Sequence, residues 1–363
     1  MTSSHSFRGL RRFAVLVSAA ALLTACSSTP ASGGTGPARG AGGTASVACA
    51  GSLIKLYEDT LGPAFERATG SSFAGPPCAG SLALASEILS GEISPGVFLS
   101  IGAKPIEKLF PAGRARFALA IASDPLVIAY SPKSRYYQQL NAIRTGEKPL
   151  ADLFGLLASA GFRLGRTDPT QDPQGFFFIL MTKLAQTELH LPAGEAARAL
   201  GITTSSPYGS SSQMLDESAL PTDIAEGVVD AGSAFLSEAK QFGLDYITLP
   251  ATLDFASPSQ ERLYSSVSLV IAGSAERGEV ISLDAGLVSP TAGSRPAASD
   301  EAADRSFVAF LLSPAGRAIL RRAGYSLTAP VLHLAPGVRS AARALPAEVL
   351  SLFRTLKGSI APT

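Results

Sequence analysis

Cys49-Ala50-Gly51-Ser52-Leu53 recurs as Cys78-Ala79-Gly80-Ser81-Leu82, and what this repeated pentapeptide does locally decides the fold. Leu53, Leu56, Tyr57 and Leu61 follow the first copy at helical spacing, as Leu82, Ala85 and Leu89 follow the second. Each copy therefore reads as a strand-to-helix turn. Gly permits the tight backbone, and Ser is a favoured N-cap whose hydroxyl sits beside the free N–H groups of the first helical turn. Helix N-termini attract anions, and two of them on neighbouring strands aim two helix ends and two hydroxyls at one point. Gly-Ser before a helix ordinarily means only that the helix is capped. Capping alone does not explain five identical residues at two successive strand ends. The expectation is a small-oxyanion site centred on Gly51, Ser52, Gly80 and Ser81.

Upstream, Arg8, Arg11 and Arg12 precede an apolar run from Phe13 to Leu23 that ends in Leu23-Thr24-Ala25-Cys26. The run is too short to span a bilayer and has the layout of an export signal with a lipobox. Residues 1–25 are expected to be cleaved, leaving Cys26 as the lipidated first residue. Residues 26–45 are rich in Ser, Thr, Gly, Ala and Pro and hold no large apolar residue before the folded region. They read as a tether that sets the domain about 25 Å from its anchor. The chain is thus expected on the outer face of the plasma membrane, held by lipid only. Without the three Arg of the signal, the formal charge of +1 becomes −2, which leaves no basic field for nucleic acid.

With Cys26 assigned to lipid, Cys49 and Cys78 are left, at the same place in the two pentapeptides. Outside the cell they are either a disulfide or two buried thiols; two thiols with no nearby His fall short of a metal ligand set. No cofactor is expected. The apolar fraction of 46% against 16% charged residues is that of a folded chain, and the length suffices for two cores.

The strand Gly96–Ile101 and a helix around Ile106, Leu109 and Phe110 continue a β-α-β-α-β alternation. Such alternation makes a doubly wound sheet that binds ligands beyond its strands' carboxyl ends. Arg116 to Tyr130 gives two strands broken at Asp124-Pro125, the second able to carry the chain into another lobe. A second α/β block follows. In it, Phe162 to Gly165 reads as a strand, and Asp172-Pro173 suits a helix start with Asp as N-cap and Pro at the first helical position. This start is either an ordinary cap or a third helix N-terminus expected to face the site. Tyr264 to Ala272 alternates like a long strand returning to the first lobe, and a helical pattern runs from Ala302 to Gly324. The expected architecture is α/β and two-lobed, each lobe a doubly wound sheet, joined by two crossover strands. Residues 46–130 with 265–363 form one lobe and 131–264 the other.

In order from about Val47 to Pro330, the chain resembles the molybdate/tungstate-binding proteins of ABC importers. The resemblance runs through Ala-Gly-Ser-Leu, the second Ala-Gly-Ser, Leu126 to Tyr136, Asp172-Pro173-Gln174-Gly175, Gly227 to Asp230 and Asp245 to Pro250. It implies a periplasmic-binding-protein-like fold whose lobes close over a dehydrated oxyanion, acting as a monomer that delivers its ligand to an ABC permease. By resemblance, Ser52 and Ser81 are hydroxyl donors, Gln174 and Gly175 lie where a backbone amide contacts the anion, and Asp172 matches a carboxylate that adds a ligand to the metal. The family's second carboxylate falls at Ala225. Glu226, one residue on, is the nearest acid, turned about 100° away by helical geometry. A Tyr that often completes the site corresponds to Phe235, with Ser233 as the nearest hydroxyl.

Other ligands and classes stand beside this reading. Sulfate, thiosulfate, phosphate or a small organic solute would suit the same fold. Asp172 could accept a phosphate proton. An enzyme fits less well, because the mature chain holds only His190 and His333, neither near the Ser turns, and no Gly-x-Ser-x-Gly elbow.

Overall fold

In a computed structural model, residues 42–75, 78–291, 293 and 295–361 are described. They form one compact unit. The expected signal, Cys26 and most of the tether lie outside them. The chain enters through β1 (Thr44–Cys49), β2 (Ser72–Ala74), β3 (Val97–Ile101) and β4 (Phe117–Ser123). It then lays down β5 (Leu126–Tyr130), β6 (Leu164–Gly165), β7 (Ala231–Phe235) and β8 (Asp245–Thr248). A hairpin of β9 (Ser268–Ile271) and β10 (Ser274–Arg277) precedes β11 (Ser282–Leu287), β12 (Val331–Leu334) and β13 (Ser359–Ile360).

Apart from the two-stranded β9–β10 hairpin, these strands build two sheets, ordered β13-β12-β4-β11-β3-β1-β2 and β6-β7-β5-β8. The chain is α/β and two-lobed. Around the first pentapeptide the pairing is parallel, β1 lying between β2 and β3. In each sheet the strand that crosses between lobes is an antiparallel insertion. β5 arrives between β7 and β8, and β11 returns between β3 and β4. β3, β5 and β7 are buried along their whole length, as strands covered on both faces must be, and their Val, Ile, Leu and Ala content follows from that.

The boundaries differ from expectation at both crossings. Pro125 interrupts the Arg116 to Tyr130 run because it cannot donate to a ladder, so sheets change at Asp124-Pro125 and β5 belongs to the second sheet. The return also comes later than Tyr264 to Ala272. Tyr264 closes a short helix, Glu261–Tyr264, and Ser268–Ile271 folds back on β10 through Ala272 and Gly273, both at positive φ (48° and 84°). β11 makes the crossing instead. The Ala302 to Gly324 pattern is two helices, Ala298–Leu312 and Pro314–Ala323, divided where Ser313 caps the second and Pro314 opens it.

Candidate functional site

The two pentapeptides lie side by side at the carboxyl end of β1. Ala50 bridges Ala79 in parallel, Gly51 N–H donates to Ala79 O (3.0 Å) and Ala79 N–H to Cys49 O (3.1 Å). Cys49 and Cys78 form a disulfide, with Cα atoms 4.7 Å apart. It joins the two turns covalently where they also share backbone bonds. From the first turn comes a short helical turn, Gly51–Leu53, capped by Ala50. From the second, Gly80 caps the helix Ser81–Ser90. Neither serine takes the N-cap position expected of it: Ser52 sits inside its turn and Ser81 is the first residue of its helix. Both serines are buried. Ser52 Oγ has no partner, whereas Ser81 Oγ accepts from Ile101 N–H at 3.2 Å and keeps its own proton to donate.

The second lobe meets these turns directly. Gln171 O accepts from Leu82 N–H (3.1 Å) and Ala83 N–H (3.2 Å), the first turn of the Ser81–Ser90 helix. Asp172 is the N-cap of the helix Pro173–Glu188, with Pro173 at its first position. Its Oδ1 accepts from Gln174 N–H (2.7 Å) and Thr167 Oγ1 (2.8 Å), while Oδ2 has no partner. Thr167 Oγ1 in turn accepts from Gly175 N–H at 2.7 Å. The amides of Gln174 and Gly175, expected to meet an anion, are therefore used inside their own loop, because an Asp N-cap and a facing Thr claim the first-turn donors. The Gln174 side chain is held at both ends: Ser233 Oγ donates to Oε1 (2.8 Å) and Nε2 donates to Glu238 (2.9 Å). Ser233 thus supports Gln174.

Glu226 lies elsewhere. It ends the helix Leu220–Glu226, is exposed and pairs with Lys133 at 2.6 Å. The second carboxyl group at the turns is Glu217, which accepts from Gly51 N–H at 2.7 Å and leaves Oε1 without a partner. In sequence it sits in Asp216-Glu217-Ser218, which reads as a solvated acidic loop; nothing local marks it. Glu238, third in the helix Leu236–Phe242, reads as an ordinary first-turn acid. Phe235, at the end of β7, is fully buried and brings no hydroxyl.

Three buried carboxyl groups thus face one another, and their other neighbours are hydroxyls and amides. Burial raises Asp172 above the usual carboxylate range. Burial and the facing Asp172 raise Glu217 further, and burial pushes Glu238 up to about 8. The buried Arg166 is bonded elsewhere: its Nε and Nη2 donate to Gln213, Tyr208 O and Ser210 O, and its Nη1 has no partner. Among the described residues no His, Cys, Asp and Glu group is arranged to hold a bare metal ion. The Ser52 and Ser81 hydroxyls are the site's O–H donors, and when protonated Glu217 adds a carboxyl O–H to them. Beside it, Leu82 and Pro173, the neighbours of Ser81 and Asp172, line a cavity of about 450 Å³ with Phe176, Phe177 and Lys104.

A family profile described as bacterial extracellular solute-binding protein matches residues 45–326. The chain belongs to that family. This solute-binding protein is 29% identical over 230 residues to an uncharacterized solute-binding protein of Halobacterium salinarum, covering 63% of this chain and 69% of that one. It is 26% identical over 183 residues to a molybdate/tungstate-binding protein of Pyrococcus abyssi, covering 46% of this chain and 50% of the relative. The match thus spans about half of that relative's length. Among solved structures it is similar to the periplasmic molybdate-binding protein of Azotobacter vinelandii, with TM-score 0.46 and 18% identity over 78% of this chain and 98% of that one. The sulfate-binding protein of Mycobacterium tuberculosis H37Rv gives 0.48 and 12%, over 88% and 94%. Among the described residues no helix is long and apolar enough to cross a membrane.

Proposed function

We propose that this solute-binding protein captures molybdate or tungstate between its lobes and hands it to an ABC permease. The observation that carries this reading is that three buried oxygens gathered at the pentapeptide turns, Ser52 Oγ, Asp172 Oδ2 and Glu217 Oε1, are committed to no neighbour beyond one another. Ionised carboxyl groups repel any dianion, so the discrimination lies in the central atom: the sulfur and phosphorus of sulfate and phosphate take no further oxygen ligand to offset that repulsion. The metal of molybdate or tungstate accepts added carboxylate oxygens, and the hydroxyls of Ser52 and Ser81 donate to its oxo groups. Among the described residues no Lys or Arg is bonded to these oxygens, so the anion's oxo groups are held by hydroxyl donors. The Pyrococcus abyssi relative's name supports the same ligand class.

A thermal-shift series with molybdate, tungstate, sulfate, thiosulfate and phosphate tests it. At a hundred times its dissociation constant a ligand stabilises by about 2.7 kcal/mol, so molybdate and tungstate are expected to raise the melting temperature and the other three to leave it unchanged. A shift with sulfate or phosphate alone would assign the cleft to those anions, and none at all would remove the oxyanion reading.

The lipobox at Leu23 to Cys26 supports anchoring by lipid at Cys26, with the tether giving the domain reach to its permease. Cys26→Ser is expected to move the protein from the membrane fraction to the soluble one; retention of that variant on the membrane would refute the anchor.

A further inference from the structure

The first lobe crossing and the ligand cleft are joined by a single helical turn. Asp124, fully buried, is the last residue before Pro125. Its N–H donates to Ile281 O at 3.2 Å, the residue before β11, so the two crossings touch there. Its carboxyl reaches the helix Leu236–Phe242 of the second lobe, accepting from Ser237 N–H (3.1 Å) on one oxygen and from Ser237 Oγ on the other. From the first-lobe side Tyr325 faces the same carboxyl, and Lys240 of the helix is the nearby cation.

The next residue, Glu238, points the other way. Neighbouring helical side chains diverge by about 100°, and while Ser237 faces the crossing, Glu238 accepts from Gln174 Nε2 at 2.9 Å. Gln174 N–H donates to the Asp172 carboxyl. The path Asp124, Ser237, Glu238, Gln174, Asp172 is therefore continuous through hydrogen bonds and one peptide link, and all five side chains are buried.

We propose that Asp124 is a positioning residue for the ligand cleft, acting through the first turn of the Leu236–Phe242 helix. By fixing Ser237 it fixes Glu238, which with Ser233 clamps Gln174 and so places Asp172 against the pentapeptide turns. The inference rests on the cleft being the oxyanion site, but its structural half concerns the unliganded protein and is tested without ligand.

Asp124→Ala, Asp124→Asn and Ser237→Ala are compared with the parent protein by two measurements: calorimetric affinity for tungstate, and hydrogen exchange of the Gln174–Phe178 amides without ligand, with those of Ala298–Leu312 as internal reference. Asp124→Ala and Ser237→Ala are expected to weaken tungstate binding about tenfold. They are also expected to speed exchange at Gln174–Phe178 by about fivefold, leaving the reference helix unchanged. Asp124→Asn keeps an acceptor for Ser237 N–H and is expected to recover affinity to within about threefold of the parent. Unchanged exchange at Gln174–Phe178, or equal acceleration everywhere, would overturn the proposal. If Asp124→Ala does not fold, Ser237→Ala, which removes one hydroxyl, decides the same point. Failure of the parent protein to bind tungstate would remove the oxyanion reading and leave the exchange comparison standing.

Discussion

Replacing Gly80 with alanine will leave the unliganded protein folded and weaken its affinity for molybdate or tungstate by at least about a hundredfold. Gly80 has φ −52° and ψ 129°, a conformation alanine adopts without strain, and Gly→Ala at such a position reduces the freedom of the unfolded chain. The three atoms nearest the added methyl group all belong to Gln171 and Asp172. The obstacle is the other lobe: a Cβ at position 80 would lie 2.6 Å from Gln171 O and 3.3 Å from Asp172 Cβ. Gln171 O is the acceptor for Leu82 and Ala83 N–H, so the methyl group pushes apart the contact by which the lobes meet. Loss of two backbone bonds at about 1 kcal/mol each, with displacement of Asp172 added, reaches the stated factor. Calorimetry measures the affinity and thermal melting the fold. Undiminished affinity would mean that the ligand is held with the lobes in another relation.

Raising the pH from about 5 to about 8.5 will lower the melting temperature of the unliganded protein by several degrees. Burial pushes Glu238 up to about 8, Asp124 and Asp284 to about 7 and Asp304 to about 6. Asp172 and Glu217 are raised as well. Between their unfolded values near 4 and these folded values the folded state binds more protons than the unfolded one. The stability they provide is therefore complete below about 4 and is lost as the pH rises through 6 to 8. Asp230, held by Arg163 and Ser134, and Glu226, held by Lys133, are shifted down and act oppositely, losing their contribution only on acidification below the usual carboxylate range. Melting curves across this pH range check the sign, and Glu238→Gln should flatten the decline. A melting temperature that holds steady or climbs towards pH 8.5 would show that these acids are solvated in the folded protein.

Both predictions depend on groups that are unequally legible in the sequence. The pentapeptide turns, the Asp172-Pro173 helix start and the break at Asp124-Pro125 are visible because caps, turns and proline act over one to four residues of chain. Their chemistry is local and carries its own signature. Glu217 is different: it meets Gly51 across 166 residues, and Glu238 meets Gln174 across 64. No periodicity links such pairs. The resemblance placed the second carboxylate at Ala225 and drew attention to Glu226; Glu226 lies in solvent with Lys133, and the carboxyl group beside Gly51 is that of Glu217, from the loop before that helix.

Hydrogen-bond allocation is equally invisible from residue identity. Gln174 and Gly175 read as anion contacts until Thr167 and the Asp172 carboxyl are seen to take their amides. The α/β lobes, the break at Asp124-Pro125 and the paired serine turns were determined by the sequence, because backbone geometry and hydrophobic patterning are written in neighbouring residues; the return through β11 was not, since β9 carries the same alternation and folds back on β10. Only the tertiary structure decided which acids enter the cleft and how strongly they hold their protons. Desolvation and facing charge depend on what the fold brings together, and the chain does not record that in any single stretch.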